Sequence, residues 1–398
     1  MRPKIVSKRG NGFPWVPLYL FPPVVRRALS QSRERRRASD YDVGVLLTCN
    51  CRLEMALDQT EILRWPAALP EVASGTHRRL IGHHAQWIDG ITRGLGHQGY
   101  LVKTTRDQRA TGVLPLVKVS GPLFGKFLVS LPYINTGGVW AEDELAATKL
   151  VDAACDLADE LDVRYLELRH EVPVEHPRIN FARTDKVHMR LPLPDSDELL
   201  DKSFKSKLRS QVKKSTEYGM TVHWGDAALL DDFYRVFSQN MRDLGTPVFS
   251  KGLFSSLLQS LAGAGELCVV RSGGVPVAGA LVVHLNGTSE VPSASSLRQY
   301  NNTGANMLMY RHLLARAIER KSRLFDFGRS SVNSGTYKFK SQWGAVPHHA
   351  EWQYYVRKGS VEAMRPDSRQ NQRLIRVWQR LPVWLTKIIG PGIVRGIP

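Results

Sequence analysis

The stretch Leu324-Phe325-Asp326-Phe327-Gly328-Arg329-Ser330-Ser331-Val332-Asn333-Ser334-Gly335-Thr336-Tyr337-Lys338-Phe339-Lys340-Ser341-Gln342-Trp343-Gly344 decides how this chain is read. Its first four residues alternate as a strand does, with Phe325 and Phe327 on one face and Asp326 on the other. Gly328 then lets the backbone pass close to a neighbour. Arg329, two serines and Asn333 follow as a polar loop at the C-terminal end of that strand, where ligands of open α/β sheets sit. Tyr337 to Lys340 alternate aromatic and cationic residues, which predicts a returning strand with Tyr337 and Phe339 on one face and Lys338 and Lys340 on the other.

Working outward, the chain carries one order of elements twice. Leu80 to Leu95 has helical periodicity. Strands are expected at 100–103, 110–117 and 127–131, a helix at about 143–160 burying Ala146, Leu150, Ala153, Ala154, Leu157 and Leu161, and a strand at 163–169. The second half repeats this with a hairpin at 268–271 and 276–283, a strand reaching Ser295 and Ser296, a helix at about 304–320 and the closing strand 324–327. Overlaid, Leu166 and Leu168 fall on Phe325 and Phe327, and Glu167 falls on Asp326. Self-similarity of this kind predicts a duplicated α/β unit. Between the halves lies a helical insertion: Leu200, Phe204, Leu208 and Val212 form an apolar stripe among six lysines and arginines, and a second helix runs from about 227 to 244.

The length of 398 residues and 42% hydrophobic content suffice for two cores. The net charge of +18 is unevenly placed: residues 1–40 contribute +8 and residues 357–398 +7, so the middle is nearly neutral. That middle carries no recognised nucleic-acid readout motif. The four cysteines, Cys49, Cys51, Cys155 and Cys268, have no zinc spacing, and no metal site is expected. The expected divisions are a basic, proline-containing N-terminal extension at 1–78, poorly ordered in part; a first unit at 79–190; a second unit with a helical lead-in at 191–356; and a basic amphipathic tail at 357–398. The apolar run Phe13 to Val25 is too short and too rich in proline to span a bilayer. In the tail, Trp378 and Trp384 stand among aliphatic residues and arginines, a composition suited either to docking on the second unit or to an anionic membrane surface.

The closing motif, Asp326-Phe327-Gly328-Arg329-Ser330 with Ser334-Gly335-Thr336-Tyr337, Phe339-Lys340 and Gln342-Trp343-Gly344, resembles that of FemAB-like transferases. Four further blocks agree, at 124–133, 183–187, 240–247 and 295–298, so the resemblance runs from about His83 to the C-terminus. The group it resembles most is the FemAB-like proteins associated with exosortase and PEP-CTERM exopolysaccharide loci, with a BioF2-like acetyltransferase domain. The resemblance implies tandem duplicated GNAT-like (acyl-CoA N-acyltransferase) units and a cytoplasmic enzyme, peripheral at the inner face of the membrane. It would move an acyl or aminoacyl group onto an amine of a glycan or envelope precursor. No tightly bound cofactor is implied. The co-substrate is aminoacyl-tRNA or acyl-CoA, and transient contact with tRNA fits the lysine-rich helix.

Acyl transfer to an amine needs a placed nucleophile, a destination for its proton and positive charge at the forming oxyanion. From the motif, Lys340 is expected at the oxyanion, Arg329 there or at a phosphate, and Asp326 at the acceptor amine; an alternative is that Asp326 and Arg329 pair with each other. Arg209 and Lys205 are expected to clamp an anion. Arg242, Thr246, Ser295, Ser296, Asn306, Ser330, Tyr337 and Phe339 complete the expected substrate contacts. The loop Gln299 to Asn306 has one glycine where acyl-CoA enzymes of the GNAT type carry a spaced pair, which favours another donor. The remaining readings are an acyl-CoA-dependent N-acyltransferase and a non-catalytic, membrane-tethered adaptor.

Overall fold

The computed structural model describes residues 58–398, apart from 74, 76, 78 and 361–368. The apolar run at 13–25, Cys49 and Cys51 lie outside the described residues. The first half contains β1 (Gln59–Arg64), α1 (Ala85–Leu95), β2 (Gln98–Arg106), β3 (Arg109–Gly121), β4 (Gly125–Val129), β5 (Trp140–Ala141), α2 (Glu144–Glu160), β6 (Tyr165–His170) and β7 (Phe181–Arg183). From β8 (Lys186–Pro192) the chain enters α3 (Asp197–Ser203), α4 (Ser206–Thr216), β9 (Thr221–Gly225), α5 (Leu230–Leu244) and α6 (Lys251–Ser260). The second half continues through β10 (Gly265–Ser272), β11 (Val275–Leu285), β12 (Thr288–Ser296), α7 (Ala305–Glu319), β13 (Leu324–Ser331) and α8 (Gly335–Gln342). It ends in β14 (Val346–His349), β15 (Glu351–Val356), α9 (Arg369–Trp378) and α10 (Val383–Val394).

These elements form two mixed sheets, each flanked by helices, as a tandem duplication requires. The first runs β1-β2-β3-β4-β6-β15-β7, with β5 beside β3, and the second runs β14-β8-β13-β12-β11-β10-β9. The sheets exchange strands: β8 leaves the first half to pair with β13 and β14, while β15 returns from the far end of the chain to lie between β6 and β7. The hairpin, strand, helix, strand order expected twice from sequence is present twice.

The helices form where period and caps agree. Asp143 accepts the Ala146 amide at 2.8 Å and starts α2, which buries Ala146, Leu150, Ala154 and Leu157 on the first sheet. In the second half α7 covers the other sheet with Leu308, Met309, Leu313 and Leu314. A third core lies between the halves, where Trp87, Phe127, Phe233, Phe254 and Tyr354 pack together. The tail docks on the second unit, with Lys387 over the Tyr234 ring at 5.4 Å and Arg242 donating to the Leu381 carbonyl at 3.1 Å, and, beyond the docking expected, its end also binds the first half, where Arg395 donates to the Gly96 carbonyl at 2.7 Å.

Two local expectations are corrected. The closing strand does not stop at Phe327 but continues to Ser331. Tyr337 to Lys340 is not a returning strand but the middle of α8, which Ser334 caps by accepting the Tyr337 amide at 3.2 Å.

Candidate active site

The strand β13 runs straight only as far as Asp326. Phe325 and Phe327 enter the second core, and Asp326 on the opposite face accepts from Arg190 Nε at 2.7 Å. Its other oxygen accepts the Gly328 amide at 2.7 Å, Gly328 takes φ +76°, and the register with β8 slips between Asp326 and Arg329. A positive φ there favours glycine, and the resulting bulge re-aims the next side chain. Arg329 consequently lies over the Trp352 ring at 3.3 Å. Lys340, a residue only 8% exposed, locks the bulge from behind: its ammonium donates to the carbonyls of Gly328 and Arg329 at 3.0 and 3.1 Å. Burial pushes the Lys340 pKa down to about 8, against the opposing pull of Asp326.

Arg329 faces a cleft of about 590 Å³ between the halves. Its walls are the rings of Tyr133, Tyr165, Phe249, Trp352 and Tyr354, and its charges are Arg169, Arg183, Lys186 and Arg329 against Glu167 and Asp185. Three of these cations are engaged within the protein. Arg169 donates to Glu167 at 2.7 Å, Arg183 pairs with Asp185 at 3.2 Å and Lys186 reaches Ser331 Oγ at 2.9 Å. The Arg329 guanidinium has no hydrogen-bond acceptor or carboxylate partner among the described residues. Burial, then the neighbouring Arg169, lowers its pKa to about 9, with Glu167 opposing. An anion entering the cleft would relieve that cost.

A second, smaller cavity of about 180 Å³ shares no lining residue with the cleft. It lies beside Asp326, Arg190, Glu171 and Glu290, with Arg79 at its edge. The loop 131–138 separates the two, offering Asn135 to the cleft and Thr136 to the cavity.

The three residues expected to do chemistry are therefore close in sequence yet face three ways. Arg329 faces the cleft, Asp326 the cavity, and Lys340 the backbone between them. The alternative pairing of Asp326 with Arg329 is not formed; the partner of Asp326 is Arg190. Thr246 joins Arg329 in the cleft. Ser330 is buried with no partner for its hydroxyl among the described residues, and Tyr337 and Phe339 pack on the second core. Ser295 accepts from Asn240 at 3.1 Å, Ser296 pairs in the sheet with Ala278, and Arg242 pairs with Asp243 and holds the tail. Lys205 and Arg209 are exposed at α4, away from both spaces. Asn306 lies in the first turn of α7, whose start is partly covered: a Cβ on Gly304 would sit 3.0 Å from that of Ser215 at the end of α4. Arg169, Trp352, Tyr354 and Glu290 were not expected as site residues. Arg183, Asp185 and Lys186 stood in a block of the resemblance without being assigned a contact.

With this geometry in place, comparison with known proteins places the fold. The acetyltransferase (GNAT) domain family matches residues 202–341. The crystal structure of FemX superposes with a TM-score of 0.52 at 16% identity, covering 74% of this chain and 93% of that one. The fold is that of the GNAT superfamily. The GNAT match spans the lysine-rich helix, the second hairpin and the closing motif through Ser341. L-PGS from Bacillus licheniformis aligns at 12% identity over 68% of this chain and 87% of its own, with a TM-score of 0.46. A tandem GNAT protein from the clavulanic acid biosynthesis pathway aligns at 11% identity over 76% and 100%, with a TM-score of 0.42. No curated protein matches the sequence.

Proposed function

We propose that this GNAT-fold protein transfers an activated acyl or aminoacyl group onto an amine of a cell-envelope or exopolysaccharide precursor. The observation that carries the reading is the Arg329 guanidinium, stacked on Trp352 in a polar and aromatic cleft and left without a hydrogen-bonded or ion-paired carboxylate among the described residues. Its N–H groups suit the oxyanion of a tetrahedral intermediate or a donor phosphate. Lys340 acts through the backbone, as a positioning residue that fixes the bulge from which Arg329 projects. The class of acceptor, and the exosortase-associated subgroup, rest on the sequence resemblance alone.

The donor is aminoacyl-tRNA or acyl-CoA. The single glycine of the loop 299–306 and the cover that Ser215 gives to the start of α7 favour the former. Binding of the two donors to purified protein, side by side and with Arg329→Ala and Arg209→Ala, tests the reading. Saturable binding of one donor, weakened in Arg329→Ala, supports it. Binding of neither moves the chain to the adaptor class. Loss of aminoacyl-tRNA binding in Arg209→Ala would extend the donor footprint from the cleft to α4.

The tail supports peripheral membrane contact as part of the same proposal. Its docked helices leave Leu374, Val377, Trp384 and Ile388 exposed, with Arg376, Arg380 and Lys387 among them. Among the described residues no helix is long and apolar enough to cross a membrane. Apolar side chains edged by cations suit the surface of an anionic bilayer. Trp384→Glu with Ile388→Glu is expected to abolish flotation with vesicles containing anionic lipid; unchanged flotation would remove the tail from the account.

A further inference from the structure

The smaller cavity holds a carboxyl that the transfer reading does not use. Glu290 on β12 stands directly across from Asp326 on β13 in the parallel pairing. Its side chain is 3% exposed, lines the cavity, and makes no hydrogen bond or ion pair with any described residue. Among the described residues the cations around it are already committed. Arg190 bridges Asp326 and Glu171, and Arg79 pairs with Glu71 at 3.1 Å. Glu290 thus adds a carboxyl with no cation of its own among the described residues, beside space for a ligand.

We propose that this cavity binds the ammonium end of a small primary amine, held between Glu290 and Asp326. The volume, about 180 Å³, is close to the roughly 150 Å³ of a cavity that accepts benzene, so the ligand is an ammonium on a short chain. Thr136, Asn286 and Thr288 offer polar contacts to the rest of such a molecule. The groups facing Glu290 are Asp326 from β13, Arg190 from β8, Glu171 from the segment after β6 and the Tyr133 hydroxyl from the loop 131–138, and Arg79 also lines the cavity. Without ligand, burial and then the like charge of Asp326 raise the Glu290 pKa to about 8, which keeps the carboxyl protonated at neutral pH. An ammonium beside it favours the carboxylate, so binding exchanges one cation for one proton: the alkylammonium enters, Glu290 ionises, and its proton leaves to solvent.

This exchange is measurable without any acyl donor, so its failure and that of the transfer reading are separable. The full chain is titrated calorimetrically with ethanolamine at pH 7 in two buffers of different ionisation enthalpy, with ethylene glycol as the neutral control. The expected result is saturable binding of ethanolamine alone, with release of close to one proton per amine bound. Glu290→Gln, which keeps the shape of the neutral carboxyl, is expected to bind at least tenfold more weakly and to release no proton. Absence of saturable binding, equal binding of ethylene glycol, or unchanged proton release in Glu290→Gln overturns the proposal. Should that variant fail to fold, the proton count and the neutral control on the unmodified chain still decide.

Discussion

Each half of the molecule contains a parallel strand pair that holds for two or three residues and then parts, and the two halves treat the opening differently. In the first, β4 and β6 pair at Leu128 with Leu166 and at Val129 with Glu167. The loop 131–138 then fills the gap: Arg169 bonds to Glu167 and to the Ile134 carbonyl, Ser130 Oγ accepts the Arg169 amide at 2.8 Å, and the Gly137 amide reaches the Arg169 carbonyl at 3.0 Å. In the second, β12 and β13 pair only through Glu290 and Asp326 before parting. There the position of Val129 is taken by Glu290, and the position of Glu167 by Asp326, whose arginine comes from another strand. One opening is filled by its own chain, whose Glu167 and Arg169 form part of the cleft wall, and the other is left beside a cavity with a carboxyl that has no cation of its own among the described residues. The same backbone device builds a wall of the cleft in one half and a wall of the smaller cavity in the other.

The contrast can be broken most forcefully at Arg169. Its removal in Arg169→Met leaves Glu167 buried and unpaired, which should destabilise the fold by roughly 3–5 kcal/mol in denaturant unfolding. A small change there would mean that the first opening is not sealed by this pair. Arg329→Ala should instead leave stability nearly intact and lower turnover about 100- to 1,000-fold on a verified substrate, because its removal leaves no described carboxylate or hydrogen-bond acceptor unpaired. Lys340→Met withdraws the donor from two carbonyls at the bulge and should cost about 1–3 kcal/mol, with a loss of turnover that follows Arg329.

The last expected effect is the dependence on pH that comes from Glu290 in the second half. The folded-state pKa of Glu290, about 8, lies above the ordinary glutamate value. The folded chain therefore binds the extra proton between the two values, and stability falls as pH rises through that window. The slope from this group is at most about 1.4 kcal/mol per pH unit. Glu290→Gln should flatten it in unfolding measured from pH 5 to 8, and identical slopes would show that Glu290 is not held protonated.

Much of this architecture was legible in the residues. The helices at 144–160 and 305–319 and the repeated hairpins follow from local periods of 3.6 and 2, and the overlay of Glu167 on Asp326 reappears as equivalent register positions. The bulge was less accessible. Gly328 announced a close approach, and the Asp326 carboxylate two residues before it makes a local turn contact, but the path beyond also depends on the Lys340 ammonium, a contact from another element that no local pattern encodes. Four alternating residues at 337–340 fit a strand and a helical turn equally, and the better signal was Ser334, a capping residue three positions ahead of Tyr337. Glu351-Trp352-Gln353-Tyr354-Tyr355-Val356 has strand-like composition, yet nothing within it names the first sheet as its partner. The aromatic floor of the cleft was hidden for that reason.

That late strand also ties the order of synthesis to the order of folding. The first sheet lacks the strand between β6 and β7 until residues 351–356 have been made, almost two hundred residues after β6. Closing so long a loop is slow and leaves the edges of β6 and β7 unpaired while the second half is still emerging. A nascent chain stopped before Glu351 holds an unfinished sheet and an unfinished cleft wall, so neither half is a module that can be cut out and used elsewhere.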